Sequence, residues 1–324
     1  MRFSFLTRVS ERLRRPRRSG GRKFIFLYHR VASPREDPFA LAVPEKWFQD
    51  HLDILRSQCR LVGLDEIIGD SPHSAARLAA ITFDDGYADN LTTASPILRG
   101  AGIPATFFIC TGSLGEARGF WWDRLARAIG ASAMGSADRA ALANLSLQGD
   151  LGNTDGRLKA TLEMAARLRL MRPLERDRAV ANLEDVLLGG AGGKPDDCTV
   201  LDETGLRELG SLPLTEIGVH TQSHAMLSML TRGEQLEEIA RSVESIRAIT
   251  GRGTPRFLAY PYGGAHDYNA DSCLAARDAG LEAAFVNHAG PFDPGREPYR
   301  IPRYYVPPIP ADHFRAWLRG ILYA

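Results

Sequence analysis

A chain of 324 residues with 44% hydrophobic and 24% charged residues has ordinary globular composition, enough for one large α/β domain or two smaller ones. That balance excludes a wholly disordered polymer, and no run approaches the ~18 apolar residues needed to span a bilayer. Cys59, Cys110, Cys198 and Cys273 lie far apart with no Cys-x-x-Cys pair. A disulfide framework and a structural zinc site are therefore excluded, and free thiols in the cytoplasm, including its membrane face, are expected.

The net charge of +1 hides an asymmetry. Residues 1–23 form a basic arm carrying Arg2, Arg8, Arg12, Arg14, Arg15, Arg17, Arg18, Arg22 and Lys23 against Glu11. The remainder holds 31 basic and 38 acidic residues, a net charge of −7. Arg8, Glu11 and Arg12 interrupt the apolar residues of the arm, so it lacks the continuous core of a secretory signal. Its spacing suits a short amphipathic helix making peripheral contact with an anionic membrane, and equally a disordered leader. No nucleic acid partner is expected, because no aromatic-rich basic surface follows.

Residues 24–28 are a compact apolar run and read as a first strand, ending at His29-Arg30. Residues 44–56 carry Trp47, Phe48, His51, Leu52 and Leu55 at helical spacing behind Pro44. A short strand at 59–62 and a short helix at 64–68 follow. Residues 79–83 then form a β-prone run ending in Asp84-Asp85-Gly86-Tyr87. The C-terminal end of a strand is where α/β folds place their chemistry. Adjacent carboxylates repel and stay ionised together only if something, such as a cation, offsets them. Successive strand side chains also face opposite ways, so one aspartate is free to hold a metal while the other handles a proton. The alternative is an Asp-Asp-Gly turn that caps the next helix.

A helix at 87–98 and a strand at 105–110 complete a βαβ pattern. From 121 to 188 the pattern is helical, rich in Ala, Leu, Arg and Glu, with breaks at Gly130, Gly149 and Gly152. This reads as an insertion, about 113–202, placed to lid the site or to pair subunits. Trp121 and Trp122 are core aromatics or a sugar platform. The alternation resumes with a strand at 216–219 running into His220-Thr221-Gln222-Ser223-His224. Further expected elements are a helix at 233–249, a strand at 257–260 ending in Pro261-Tyr262-Gly263-Gly264, and a helix at 271–279. Strands at 283–286 and 303–306 and a helix at 311–322 end the chain. About seven strands, most followed by helices, suit an α/β fold: a distorted or incomplete (β/α) barrel over 24–324 with a helical insertion.

His220 and His224 are four residues apart, and one helical turn would put both imidazoles on one face. Two histidines and an aspartate from a neighbouring strand end supply three N/O ligands and leave a position open. The expected cofactor is a divalent metal ion, zinc first, with cobalt, nickel, manganese or iron also fitting.

Thr82-Phe83-Asp84-Asp85-Gly86, His220-Thr221-Gln222-Ser223-His224 and Tyr260-Pro261-Tyr262-Gly263, in this order, resemble the leading motifs of the polysaccharide deacetylase family. That family includes chitin-oligosaccharide and peptidoglycan deacetylases. Tyr28-His29-Arg30-Val31 is similar to the opening of its bacterial exopolysaccharide branch. The resemblance covers 24–112 and 205–306. It implies that Asp85, His220 and His224 hold the metal and that Asp84 is the general base. It also implies that the Tyr262 backbone N–H stabilises the oxyanion and that His29, Tyr260 and Pro261 line the substrate. The implied reaction is hydrolysis of the N-acetyl amide of an amino sugar in a polysaccharide, oligosaccharide or lipid-linked precursor, releasing acetate.

Two positions depart from the family pattern. The arginine that precedes Pro-Tyr-Gly is absent: Ala259-Tyr260 stand there, and Arg256 is offset. The last motif, Leu-x-His, is replaced by Ile301-Pro302-Arg303. Arginine stays protonated, so Arg303 would stabilise charge or bind an anionic group instead of donating a proton. The general acid is then expected to be His288, which follows the 283–286 strand, ahead of His29 or water. The same site would suit removal of a formyl or other acyl group, and the missing acid also admits a catalytically silent carbohydrate-binding protein.

Overall fold

The computed structural model describes residues 23–69, 76–131, 153–188, 198–290 and 297–323, so the basic arm lies outside it apart from Lys23. The strands in chain order are β1 (Lys23–Tyr28), the short β2 (Arg30–Val31) and β3 (Ala42–Val43), β4 (Arg60–Leu61) and β5 (Leu78–Phe83). They continue with β6 (Ala105–Ile109), β7 (Thr215–Val219), β8 (Phe257–Ala259), β9 (Ala283–Val286), β10 (Ile301–Pro302) and β11 (Tyr304–Tyr305). Strands β9, β8, β7, β6, β5 and β1 lie side by side in that order, all parallel.

One segment, 301–305, touches both ends of that sheet. Its first half, β10, sets Ile301 opposite Phe285 of β9, and its second half, β11, sets Tyr304 opposite Phe26 of β1. The sheet thus closes into a barrel through a single broken strand, with Arg303 at the seam. The seven-stranded distorted barrel expected from the sequence is the fold. The last strand begins two residues before the expected 303 and is interrupted where the chain changes partner.

Alternation sorts the strand residues into two cores. Ile25, Ala80, Phe108, Ala259, Phe285 and Ile301 pack together inside the barrel. Their neighbours Phe24, Phe26, Ile81, Phe83, Phe107, Leu258 and Val286 pack outward against the helices. Val62, Leu64 and Ile67, just after β4, join the inner core. They sit level with Leu78 at the start of β5 and so fill the end where the strands begin. Chemistry is left to the opposite end, where the strands finish.

The surrounding helices follow their sequence signals. The Arg232–Thr250 helix starts on a Thr231/Glu234 capping box and stops at Gly251, whose φ of +62° is a left-handed cap. The helix expected at 87–98 instead opens as a wide turn, Asn90–Ala94, and becomes α-helical only over Ser95–Gly100. Pro96 lacks an N–H and fits only a first helical turn, which accounts for the late start.

Between β6 and β7 the Trp121–Ala131, Thr154–Leu168 and Pro173–Leu188 helices share their own core. Leu125, Ile129, Met164, Leu168, Val180 and Leu183 form it, and Tyr87 from the barrel rim joins it. Trp121 and Trp122 are buried there, so they are core aromatics and not an open platform. Among the described residues, no helix is long and apolar enough to cross a membrane.

Candidate active site

Alternation along β5 turns Thr82 and Asp84 to the same side, and Arg303 meets both. Its Nη1 donates to Asp84 Oδ1 at 2.7 Å and its Nη2 to Asp84 Oδ2 at 2.6 Å, while Nη1 also reaches Thr82 Oγ1 at 3.3 Å. The guanidinium is fully buried and lies 5.4 Å from the Phe108 ring centroid. Burial alone would raise the Asp84 pKa, but the charge and hydrogen bonds of Arg303 outweigh it and hold the carboxyl below its ordinary range. Asp84 is thereby fixed as a carboxylate with one lone pair on each oxygen engaged and the others open.

Asp85 leaves the strand in a left-handed conformation, φ +76°, and Gly86 follows at φ +94°. Only glycine takes the second position without strain, and a Cβ there would press on the Ile109 side chain at 3.1 Å. This turn sends Asp85 to two imidazoles. Its Oδ1 lies 3.4 Å from His220 Nε2 and 3.4 Å from His224 Nε2. The imidazole contacts pull Asp85 well below the carboxylate range against the opposing effect of burial. The two aspartates thus face different partners, divided by the turn as well as by strand alternation.

The histidines do not share a helical turn, as their spacing led one to expect. Residues 220–224 form a loop in which Thr221 has φ +64° and His224 φ +52°. Neighbouring elements take its backbone groups, so no internal helical bond forms. Thr111 N–H donates to Thr221 C=O at 3.2 Å and Gly112 N–H to Gln222 C=O at 2.7 Å. Glu238 accepts from Gln222 N at 3.1 Å and from Ser223 N at 2.8 Å. Arg176 donates to the Ser223 and His224 carbonyls at 3.0 and 3.2 Å.

The donor set fits a metal ion. His220 Nδ1 is 2.8 Å from the Ala259 carbonyl, which only accepts, so Nδ1 carries the hydrogen. In the neutral ring, the Nε2 lone pair then faces an Asp85 oxygen, and two acceptors at 3.4 Å need a cation or a proton between them. Tetrahedral coordination with bonds of about 2.0–2.2 Å places donor atoms roughly 3.3–3.6 Å apart, the separation found here. The three ligand atoms all lie within 4.8 Å of one another. Burial pushes His224 down to about 4, which leaves its ring neutral and able to act as a ligand. Burial acts on His220 in the same direction, but Asp84 and Asp85 together raise it.

The other sequence candidates separate. His29, at the end of β1, is half-buried and has no partner for Nδ1 among the described residues. Burial lowers its pKa, and Asp85 and Asp84 act against that. His288 is exposed and meets the Tyr268 hydroxyl at 3.4 Å. Ala259 faces the barrel interior, so Tyr260 points outward: it stacks on Tyr268 and donates to Tyr299 C=O. Its expected place in the substrate wall is therefore corrected to a place in the outer core. Pro261 is buried beside it, and Tyr262 stands at the rim in a left-handed conformation, φ +62°. The Tyr262 N–H has no hydrogen-bond partner among the described residues. Arg256 binds Asp65 and Glu282 at the other end of the barrel and plays no part in the site.

Other groups surround these residues, most of them without a signal in the sequence. Trp122, one of the two tryptophans singled out there, lies 4.7 Å from His224 and stacks on Phe120 at 4.5 Å, walling one side of His224. Arg169 pairs with the buried Asp267 and lies 4.6 Å from the Tyr262 ring centroid. Glu238 and Arg176 sit in regular helical patterns with no local signal of a role. Only proximity in the fold reveals them.

The same wall carries a pH-sensitive group. Asp123 accepts from Tyr87 Oη at 2.9 Å and from Phe120 N at 2.8 Å, and desolvation pushes it up to about 7. Below the ordinary carboxylate pKa both the folded and unfolded states are protonated. From about pH 4 to 7 only the unfolded state ionises, so this group's stabilising contribution falls as pH rises. Asp123→Asn keeps both bonds and should remove about 1–4 kcal/mol of that pH dependence, read as urea midpoints at pH 4.5 and 7.5. Equal slopes in wild type and variant would contradict the assignment.

The sequence profile of the polysaccharide deacetylase family matches residues 72–134 and 199–284. The Bacillus subtilis strain 168 protein YxkH, which bears the name of that family, is 30% identical over 96 residues. The match spans 28% of this chain and 33% of YxkH, about a third of the relative's length. Among solved structures, IcaB from Ammonifex degensii superposes with a TM-score of 0.58 at 19% identity, covering 94% of this chain and 99% of that one. The Streptococcus pyogenes deacetylase PplD, in complex with acetate, gives 0.57 at 15% identity over 93% and 97%. At these identities the two structures show a shared fold.

Proposed function

The chain belongs to the polysaccharide deacetylase family, and on that premise we propose that it is a metal-dependent N-deacetylase releasing acetate from an N-acetylated amino sugar. The observation that carries this reading is a buried, arginine-held Asp84 next to the Asp85–His220–His224 ligand set. A divalent ion held there, zinc first among candidates, would supply water acidified to near-neutral pKa and a polarised amide carbonyl.

The chain's own groups do the rest. Asp84 takes a proton from the attacking water through the lone pairs that Arg303 leaves open. Arg303 keeps that carboxyl ionised and fixed in plane. The Tyr262 N–H is the donor assigned to the developing oxyanion. His29 is the group assigned to the leaving amine, in place of His288. Its ring lies in the field of Asp84 and Asp85, and its Nδ1 has no partner among the described residues, so a proton can be exchanged there with the leaving amine.

The Tyr28-His29-Arg30-Val31 stretch favours an exopolysaccharide or its lipid-linked precursor as substrate. The basic arm favours contact with the inner membrane face. Acetate, present with the Streptococcus pyogenes relative, is the product this reaction would release.

The test is acetate release from N-acetylglucosamine oligomers and lipid-linked N-acetyl sugars, using metal-stripped and zinc-restored protein. Asp84→Ala should retain metal and lose roughly 10²–10⁴-fold in turnover. His29→Gln should lower turnover, and His288→Ala should match wild type. No acetate from any donor by zinc-loaded protein would sink the reading, and formate from N-formyl analogues would move it to another acyl group.

A further inference from the structure

The metal-ligand loop 220–224 does not hold its own shape. Thr221 and His224 both occupy the left-handed region that non-glycine residues avoid, at φ +64° and +52°. Such a conformation persists only where surrounding groups over-determine it. On one side Glu238 binds the N–H groups of Gln222 and Ser223 and, at 2.7 Å, the Ser223 hydroxyl. On the other side, Arg176 is the partner of the Ser223 and His224 carbonyls, and among the described residues they have no other.

Arg176 comes from the first turn of the Pro173–Leu188 helix, in the insertion, and is 3% exposed. Its guanidinium lies 5.3 Å from the Trp121 ring centroid, and its Nε donates to Asp177 Oδ1 at 3.1 Å. The planar fork spans two consecutive carbonyls, which a single ammonium does not do. The loop is thus clamped between a carboxylate on its donors and a guanidinium on its acceptors, and the second jaw belongs to the insertion.

We propose that Arg176 is a positioning residue for the metal ligand His224, so that the insertion sets metal affinity by fixing the 223–224 backbone. The proposal rests on the metal-site reading above, but it concerns binding and not the acyl group removed. Without the guanidinium, two carbonyls lose their partners and the left-handed His224 loses its restraint. The imidazole then samples orientations that miss the Asp85–His220 pair.

The experiment measures zinc dissociation constants by chelator competition for wild type, Arg176→Met, Arg176→Lys and the exposed control Arg178→Met. Far-ultraviolet circular dichroism and urea midpoints of the metal-free proteins accompany them. Arg176→Met should bind zinc roughly 10–100-fold more weakly, with Arg176→Lys intermediate and Arg178→Met at the wild-type value. At saturating zinc, Arg176→Met should regain most of its kcat with KM unchanged. A folded Arg176→Met with wild-type zinc affinity would overturn the proposal. If Arg176→Met does not fold, Arg176→Lys decides: wild-type affinity in that variant overturns the proposal, and weakened affinity supports it. Wild-type protein that binds no zinc would overturn both this proposal and the metal-site reading. Zinc binding without hydrolysis would overturn the deacetylase assignment alone.

Discussion

Arg303→Met should lower stability by about 3–5 kcal/mol and turnover by roughly 10²-fold or more. Both effects have one cause. Arg303 is fully buried, and its two terminal nitrogens are bonded to the two oxygens of Asp84, itself only 2% exposed. Removing the guanidinium leaves a buried carboxylate without its bonded counter-charge. Asp84 responds by holding its proton to higher pH, since burial then dominates. A general base must be deprotonated, so the acid limb of the pH–rate profile should move upward in the variant. Arg303→Lys should recover part of the stability and little of the rate, because one ammonium does not reproduce the bidentate geometry. Arg303→Met with Asp84→Asn should regain stability and stay inactive, since the uncompensated charge is gone along with the base. These outcomes are read by urea denaturation and acetate release. Arg303→Met keeping wild-type turnover at neutral pH would contradict the role.

His220→Ala should lose stoichiometric metal and at least ~10³-fold in turnover, the loss expected when several kcal/mol of metal-derived stabilisation is removed. His220 is the best-oriented ligand: the Ala259 carbonyl fixes its Nδ1 at 2.8 Å and so aims Nε2 at Asp85. Alanine leaves two ligands, Asp85 and His224. Zinc at ~100 times its dissociation constant should stabilise wild type by about 2.7 kcal/mol and leave the variant unchanged. Equilibrium dialysis with elemental analysis and thermal unfolding with and without zinc make the comparison. A variant that still gains stability from zinc would place the ion elsewhere.

Much of the fold is legible in local pattern. The apolar runs at 24–28, 79–83, 105–110 and 283–286 are strands within a residue of their expected limits, and 311–322 is a helix as its periodicity requires. Such runs carry their signal in adjacent residues, and burial on both faces leaves few alternatives. Where the expectation failed, a long-range contact decided. His220 and His224 have the spacing of a helical turn, yet Glu238, Gly112 and Arg176 claim the backbone groups that such a turn would need. The expected 303–306 strand is split because its two halves pair with opposite ends of the sheet.

By itself, the sequence determined the chemistry available: two adjacent carboxylates, two imidazoles and a Pro-Tyr-Gly turn, each at the end of an apolar run. Residue identity and strand period are local properties, so they survive without coordinates. Only the tertiary structure decided how these groups are arranged. It brought Arg303, 219 residues away in sequence, onto Asp84, set His29 in the field of the carboxylates, and laid Arg176 across the His224 loop. Those contacts depend on barrel closure and on how the insertion packs. Both are set by the summed burial of distant side chains, which no single stretch of chain records.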